Sequence, residues 1–148
     1  MKFAPSLILL GGLLSNSLFA ADTPAGSWTT VDDETGDIAS LMEIRIEDDQ
    51  LVGNIVELYN LEEESPLCQE CEGERHLQPI IGMQILWGLR QISGKKKGDW
   101  SEGNILDPKN GKIYGAKVSL SKDGNELEVR GYLGISLFGR SQTWKRKI

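Results

Sequence analysis

The chain has 148 residues, 39% apolar and 26% charged, with a net charge of −6. That is the length of one ordinary domain with a core of its own. Its acidity argues against nucleic acid and anionic membrane surfaces as partners. The first twenty residues differ in kind from the rest. Lys2 gives a positive start, Ile8 to Leu14 are apolar around Gly11-Gly12, and the stretch ends in Leu18-Phe19-Ala20. This is the layout of a cleavable export signal cut after Ala20, and it is too short and too glycine-interrupted for a good membrane-spanning helix. It predicts a periplasmic or secreted protein, with residues 21–148 as a single domain. No later apolar run is long enough to cross a bilayer as a helix.

The remainder reads as short strands joined by turns. A first strand runs from Ala25 to Val31 around Trp28, and Asp32 to Asp37 form a turn. Met42, Ile44 and Ile46 then alternate with Glu43, Arg45 and Glu47, the period of a half-buried strand. After Asp48-Asp49-Gln50, Leu51 to Tyr59 completes a hairpin. Leu61 to Gln78, with Pro66 and both cysteines, reads as a loop. Ile80 to Leu89 predicts a short helical turn running into a strand from Gln84 to Arg90. Gly94 to Gly98 is a basic turn, and Trp100 to Leu106 is the next strand.

Asp107-Pro108-Lys109-Asn110-Gly111 is a strong turn signal, because proline presets its dihedral and Asn-Gly tolerates positive φ. In the strand that follows, Tyr114, Ala116, Val118 and Leu120 share one face. Beyond the turn at Lys122 to Asn125, Leu127, Val129, Gly131 and Leu133 alternate with Glu126, Glu128, Arg130 and Tyr132. Gly134 to Gly139 precedes a last polar strand ending at Arg146. About eight short strands without helical periodicity predict an all-β sandwich or barrel, and the 17 glycines suit the bends of a tightly curved sheet.

Gly26-Ser27-Trp28 opens the first strand and Lys145-Arg146 ends the last. This resembles the lipocalin pattern, in which a tryptophan plugs one end of a closed barrel beneath a basic residue from the chain's end. Trp28 and Arg146 are the barrel-closing pair on this reading. The expected fold is therefore a lipocalin-like antiparallel up-and-down barrel of about eight strands. An outer-membrane barrel fits poorly, since Glu43, Arg45, Glu47, Glu126, Glu128 and Arg130 would face lipid or crowd a narrow interior.

Longer stretches, Pro79 to Met83, Gly103 to Tyr114 and Arg130 to Trp144, resemble an uncharacterised bacterial envelope family, domain of unknown function 2147. Gly26-Ser27-Trp28, Leu51 to Val56 and Cys68-x-x-Cys71 also fit it. The resemblance spans nearly all of the chain after Ala20. It implies an exported lipocalin-like barrel and no established activity, so no catalytic residue is carried over.

Cys68-Gln69-Glu70-Cys71 has three readings. In an oxidising compartment a small-loop disulfide clasping Leu61–Gln78 is the simplest. Thiol–disulfide exchange would need a lowered thiol pKa, which Glu70 and Glu72 oppose. A metal site with His76 lacks a fourth ligand. No nucleophile, zinc-protease or phosphate-loop motif is present, and no cofactor or metal is expected. The acidic runs Asp32–Glu34 and Glu62–Glu64 read as hydrated loops. Trp87, Trp100, Tyr114 and Tyr132 are candidates to line a ligand pocket or simply core. Phe138 could join them from a mobile rim loop, Gly134–Gly139. The leading expectation is a non-enzymatic carrier or sensor of a small apolar or amphipathic molecule, which a barrel filled by its own side chains would rule out. The alternatives are a packed module that docks an envelope protein through Leu61–Gln78 and Ile135–Phe138, or a redox protein at Cys68 and Cys71.

Overall fold

A computed structural model describes residues 22–148; the export signal predicted at residues 1–20 lies outside the described residues. Eight antiparallel strands follow one another around a closed barrel in chain order. They are β1 (Gly26–Val31), β2 (Ile38–Glu47), β3 (Gln50–Leu58), β4 (Gln84–Gln91), β5 (Asp99–Asp107), β6 (Lys112–Leu120), β7 (Glu126–Tyr132) and β8 (Gly139–Arg146). The eight predicted strands are all present, within a residue or two at their ends except β2, which begins at Ile38, four residues before the alternation read from Met42. The helical turn predicted near Ile80 is a tight turn closed by Met83 N–H to Ile80 C=O, and among the described residues the one helical element is a 3₁₀ turn at Gly73–Arg75.

Alternation along each strand fills the barrel. Register places Trp28 opposite Met42, Met42 opposite Ile55, Val118 opposite Val129 and Leu127 opposite Trp144. Trp28, Met42, Ile44, Leu51, Leu86, Leu89 and Leu127 are fully buried. Two inward glycines let the walls approach. A Cβ on Gly53 would sit 3.2 Å from both Leu86 Cβ and Met42 Cε, and one on Gly103 would overlap Leu89. The charged alternates Glu43, Arg45, Glu126 and Glu128 occupy the outer wall.

One end is closed permanently. Trp28 donates its indole N–H to Pro24 C=O at 2.8 Å, and the Arg146 guanidinium lies 4.3 Å above the indole ring. Arg146 also donates to the carbonyls of Gly124, Ala25 and Thr23 at 2.6, 2.8 and 2.9 Å. Burial pushes its pKa down from the ordinary guanidinium value without removing its charge. β1 and β8 pair only here, Trp28 with Arg146 and Thr29 with Lys145.

The wall of β4 and β5 is covered on both sides. Leu86 and Ile105 pair on the inner face, so Ile85 and Leu106 point outward, yet both are buried. The connection between β3 and β4 supplies the cover. Cys68 and Cys71 form a disulfide and are themselves buried in this outer cluster with Met83. Arg75 lies 4.7 Å over the Trp87 ring. Leu67 bridges Pro79, and the Gly111 turn is pressed so closely on Glu70 and Cys71 backbone that no side chain fits there.

Candidate functional site

The five aromatic residues singled out for a pocket do not line one chamber. Trp100 and Tyr114 point into the barrel, opposite Val118 and Ile105 respectively. They lie near opposite ends, separated by about 13 Å of strand. Trp100 is buried in packed core, its indole N–H without an acceptor. Trp87 points outward beneath Arg75, because the bulge around Gly88 (φ 77°) puts two residues between inward Leu86 and Leu89. Tyr132 lies against Gly115 on the outer wall. Phe138 projects from the β7–β8 loop and is 70% exposed. The cysteines are joined and buried, while His76 Nδ1 sits 3.0 Å from Cys71 C=O. That geometry matches a clasp and leaves no accessible thiol for exchange.

What remains open is the end opposite Arg146, where the β1–β2, β3–β4, β5–β6 and β7–β8 connections gather. The inward residues there are smaller or only half-buried: Leu58, Ile105, Tyr114 and Gly131. Level with Leu58, inward Thr30 and Ser40 share a buried hydrogen bond of 2.7 Å. The Tyr114 hydroxyl accepts from Asn110 Nδ2 at 2.9 Å, which holds the ring upright at the rim. The result is a shallow cup whose lining mixes these apolar residues with inward Thr30, Ser40, Arg140 and Gln142. The closed end and the middle of the barrel are occupied by side chains, so the deep container expected from sequence is reduced to this upper part. Two other hollows, of about 340 and 300 Å³, lie away from the cup along β5–β8; Ser119 and Glu128 line both, and Trp100 and Val118 border the smaller.

Charged groups span the rim. Asp32 accepts from Lys109, which reaches over from the β5–β6 turn on the opposite wall. Its other oxygen accepts the N–H groups of Glu34 and Thr35 at 2.8 and 3.0 Å. The Lys109 bond, then those two N–H groups, hold the Asp32 carboxyl down at about 2; Asp32 in turn raises Lys109. Asp33 accepts from Gln142 Nε2 at 2.7 Å and pairs with Arg140 at 3.2 Å. Gln142 meanwhile accepts from the Trp144 indole at 2.9 Å. Sequence reasoning read Asp32 and Asp33 as hydrated turn residues; their partners lie 77 and 109 residues away, and no local signal announces them.

The β7–β8 loop adds an apolar edge. Leu133, Ile135, Leu137 and Phe138 are all exposed, Leu137 most at 76%. The loop is nevertheless ordered: Leu133 and Phe138 pair through backbone, and Arg130 donates to Ser136 C=O at 2.8 Å. Among the described residues no group of three His, Cys, Asp or Glu is placed to hold a metal ion, and no helix is long and apolar enough to cross a membrane.

Residues 26–146 match the sequence model of a family described as "Uncharacterized protein conserved in bacteria (DUF2147)". No curated protein is significantly similar in sequence. Among solved structures, the fold is similar to one described as "Protein HP1028 from the human pathogen Helicobacter pylori belongs to the lipocalin family". The TM-score is 0.71 at 16% identity, over 84% of this chain and 82% of that one. At that identity the likeness is one of fold.

Proposed function

The chain belongs to the DUF2147 family and folds as a lipocalin-like barrel, and we propose that it binds a small amphipathic molecule at the barrel mouth, as a non-enzymatic carrier or sensor in the cell envelope. One observation carries this reading. At the mouth the inward side chains Leu58, Ile105 and Tyr114 are only half-buried, beside the exposed apolar loop Leu133–Phe138, while Trp28, Met42, Ile44, Leu51, Leu86 and Leu89 deeper in the barrel are fully buried. An apolar chain laid on Leu58, Ile105 and Tyr114 under Phe138 leaves water, and burial favours it by about 25 cal/mol per Å² before ordering costs. Its polar end meets the rim. The export signal at residues 1–20 belongs to the same proposal. Mass spectrometry of the natural protein should find Ala21 at its N-terminus in the periplasm or medium.

The binding test fills the cup. A Cβ on Gly131 would meet Ile105 and Tyr114 at ordinary contact distances of 3.5 and 3.6 Å, so a ring carried there projects among the mouth residues. Gly131→Phe should abolish binding of a dansyl-labelled undecanoyl probe while Gly131→Ala retains it, both variants giving the wild-type circular dichroism spectrum. Wild-type protein that leaves the probe in solution, or Gly131→Phe that binds it normally, overturns the reading.

A second reading is supported by the exposure of Leu133, Ile135, Leu137 and Phe138: the loop docks an envelope protein. A photo-crosslinker at Leu137 should then trap one defined protein in cells. Phe138→Ser should remove that adduct without lowering the melting temperature.

A further inference from the structure

We propose that the mouth recognises an anionic head group through Lys109 and Arg140, and that Asp32 and Asp33 of the β1–β2 loop hold its place in the empty protein. This rests on the mouth being the ligand site and adds the chemical class of the ligand and the means of its exchange.

Three donors converge on two neighbouring carboxylates. Lys109 comes from the β5–β6 turn, on the opposite wall of the barrel, and Arg140 and Gln142 come from β8. A guanidinium, a lysine ammonium and a side-chain amide make a donor set suited to a carboxylate or a phosphate. The cations stay within reach of solvent: Lys109 and Arg140 are 72% and 69% exposed, against 20% and 32% for Asp32 and Asp33.

The loop that supplies the carboxylates is closed on itself. Asp32 N–H donates to Asp37 C=O, Gly36 N–H donates to Asp32 C=O, and Gly36 takes the positive φ of 76° that the turn requires. Such a loop moves as a unit. Its departure removes Asp32, Asp33, Glu34 and Asp37 from the mouth together. While the loop is down, those acids and Asp107 repel an incoming anion; once it lifts, Lys109 and Arg140 face the cup with only Asp107 near Lys109. Entry of an anion and release of the loop are therefore one exchange, carboxylate for carboxylate or phosphate.

The probes are decanoate, decyl phosphate and decanol, each competing with the dansyl probe on the full-length exported protein. Decanoate or decyl phosphate should bind at least about tenfold more tightly than decanol, and whichever of the two is stronger identifies the head group. Lys109→Gln/Arg140→Gln should erase the preference and leave decanol unchanged. Asp32→Asn/Asp33→Asn should strengthen the anion about three- to tenfold, again without effect on decanol. Hydrogen exchange of residues 32–37 should quicken when the anion binds. Equal binding of all three probes overturns the head-group proposal while the mouth remains a ligand site. Anion preference with slower or unchanged exchange overturns the stand-in role. Binding of none of them removes both this proposal and the reading beneath it. Since Asp32→Asn also weakens the bonds from the loop's own N–H groups, Asp33→Asn alone is the second variant: weaker anion binding by it also overturns the stand-in.

Discussion

Arg146→Ala should cost more stability than any other single charge removal among the described residues, because this side chain closes the barrel where β1 meets β8. It loses three hydrogen bonds to the carbonyls of Gly124, Ala25 and Thr23 and its contact with Trp28. A bond from a charged donor contributes about 1.5–3 kcal/mol where it stays dry. Arg146 is only half-buried, and water reaches the freed carbonyls, so about 1 kcal/mol per bond is the appropriate value. The indole contact adds about 1 kcal/mol. The loss is then about 3–4 kcal/mol, or roughly 10–15 °C in melting temperature for a chain of this length. Arg146→Lys keeps a cation over Trp28 but loses the planar fork, and should lose about half as much. Urea denaturation followed by circular dichroism and tryptophan emission measures both. An alanine variant within about 1 kcal/mol of wild type would refute the argument, as would a lysine variant that matches it.

Other consequences are independent of ligand. Asp32 is depressed from 3.8 to about 2 by Lys109 and its loop N–H groups, so the stabilisation from the Asp32–Lys109 bond is fully present above the ordinary carboxylate value and is lost as pH falls through about 2. Carboxyl NMR should show the loop in place at pH 4 and released near pH 2; titration of Asp32 at its ordinary value would count against the Lys109 bond. Gly103→Ala should destabilise by roughly 1–3 kcal/mol, because its Cβ would meet the Leu89 main-chain nitrogen at 2.7 Å, whereas Gly131→Ala should be close to neutral in the same melt. Removing the clasp with Cys68→Ala/Cys71→Ala should cost about 2 kcal/mol by the chain-entropy relation for so short a loop. The loss should appear as faster hydrogen exchange at residues 61–83, and unchanged exchange there would show that the outer cover holds without it.

The barrel was legible because period-two alternation survives in β2, β6 and β7, and because Trp28 and Arg146 mark the two ends of the chain. Direction failed where alternation is interrupted. Two residues separate inward Leu86 from inward Leu89, and Glu102 adopts a positive φ of 62° beside Gly103. Hence Trp87 could not be oriented by counting. Tyr132 could: its own strand places it opposite Val129 and Gly131, and only its aromatic character suggested a pocket. The outer cover also left a trace. Ile85-Leu86 and Ile105-Leu106 are apolar on both faces, as strands buried from both sides are, but nothing local says that the cysteine loop does the covering.

The two ends of the barrel solve one physical problem in different ways, and the difference bears on function. Every open barrel end exposes inward side chains and frayed backbone. At the closed end the partners of Arg146 are backbone carbonyls, which no dissolved molecule can replace without unfolding the strand ends. At the mouth the partners of Lys109, Arg140 and Gln142 are two side-chain carboxylates on a self-contained loop, and a carboxylate in solution offers the same atoms. A barrel needing only stability has no use for that asymmetry. Half-buried Leu58, Ile105 and Tyr114 lie at that same mouth. The exchangeable end is therefore where binding is to be sought.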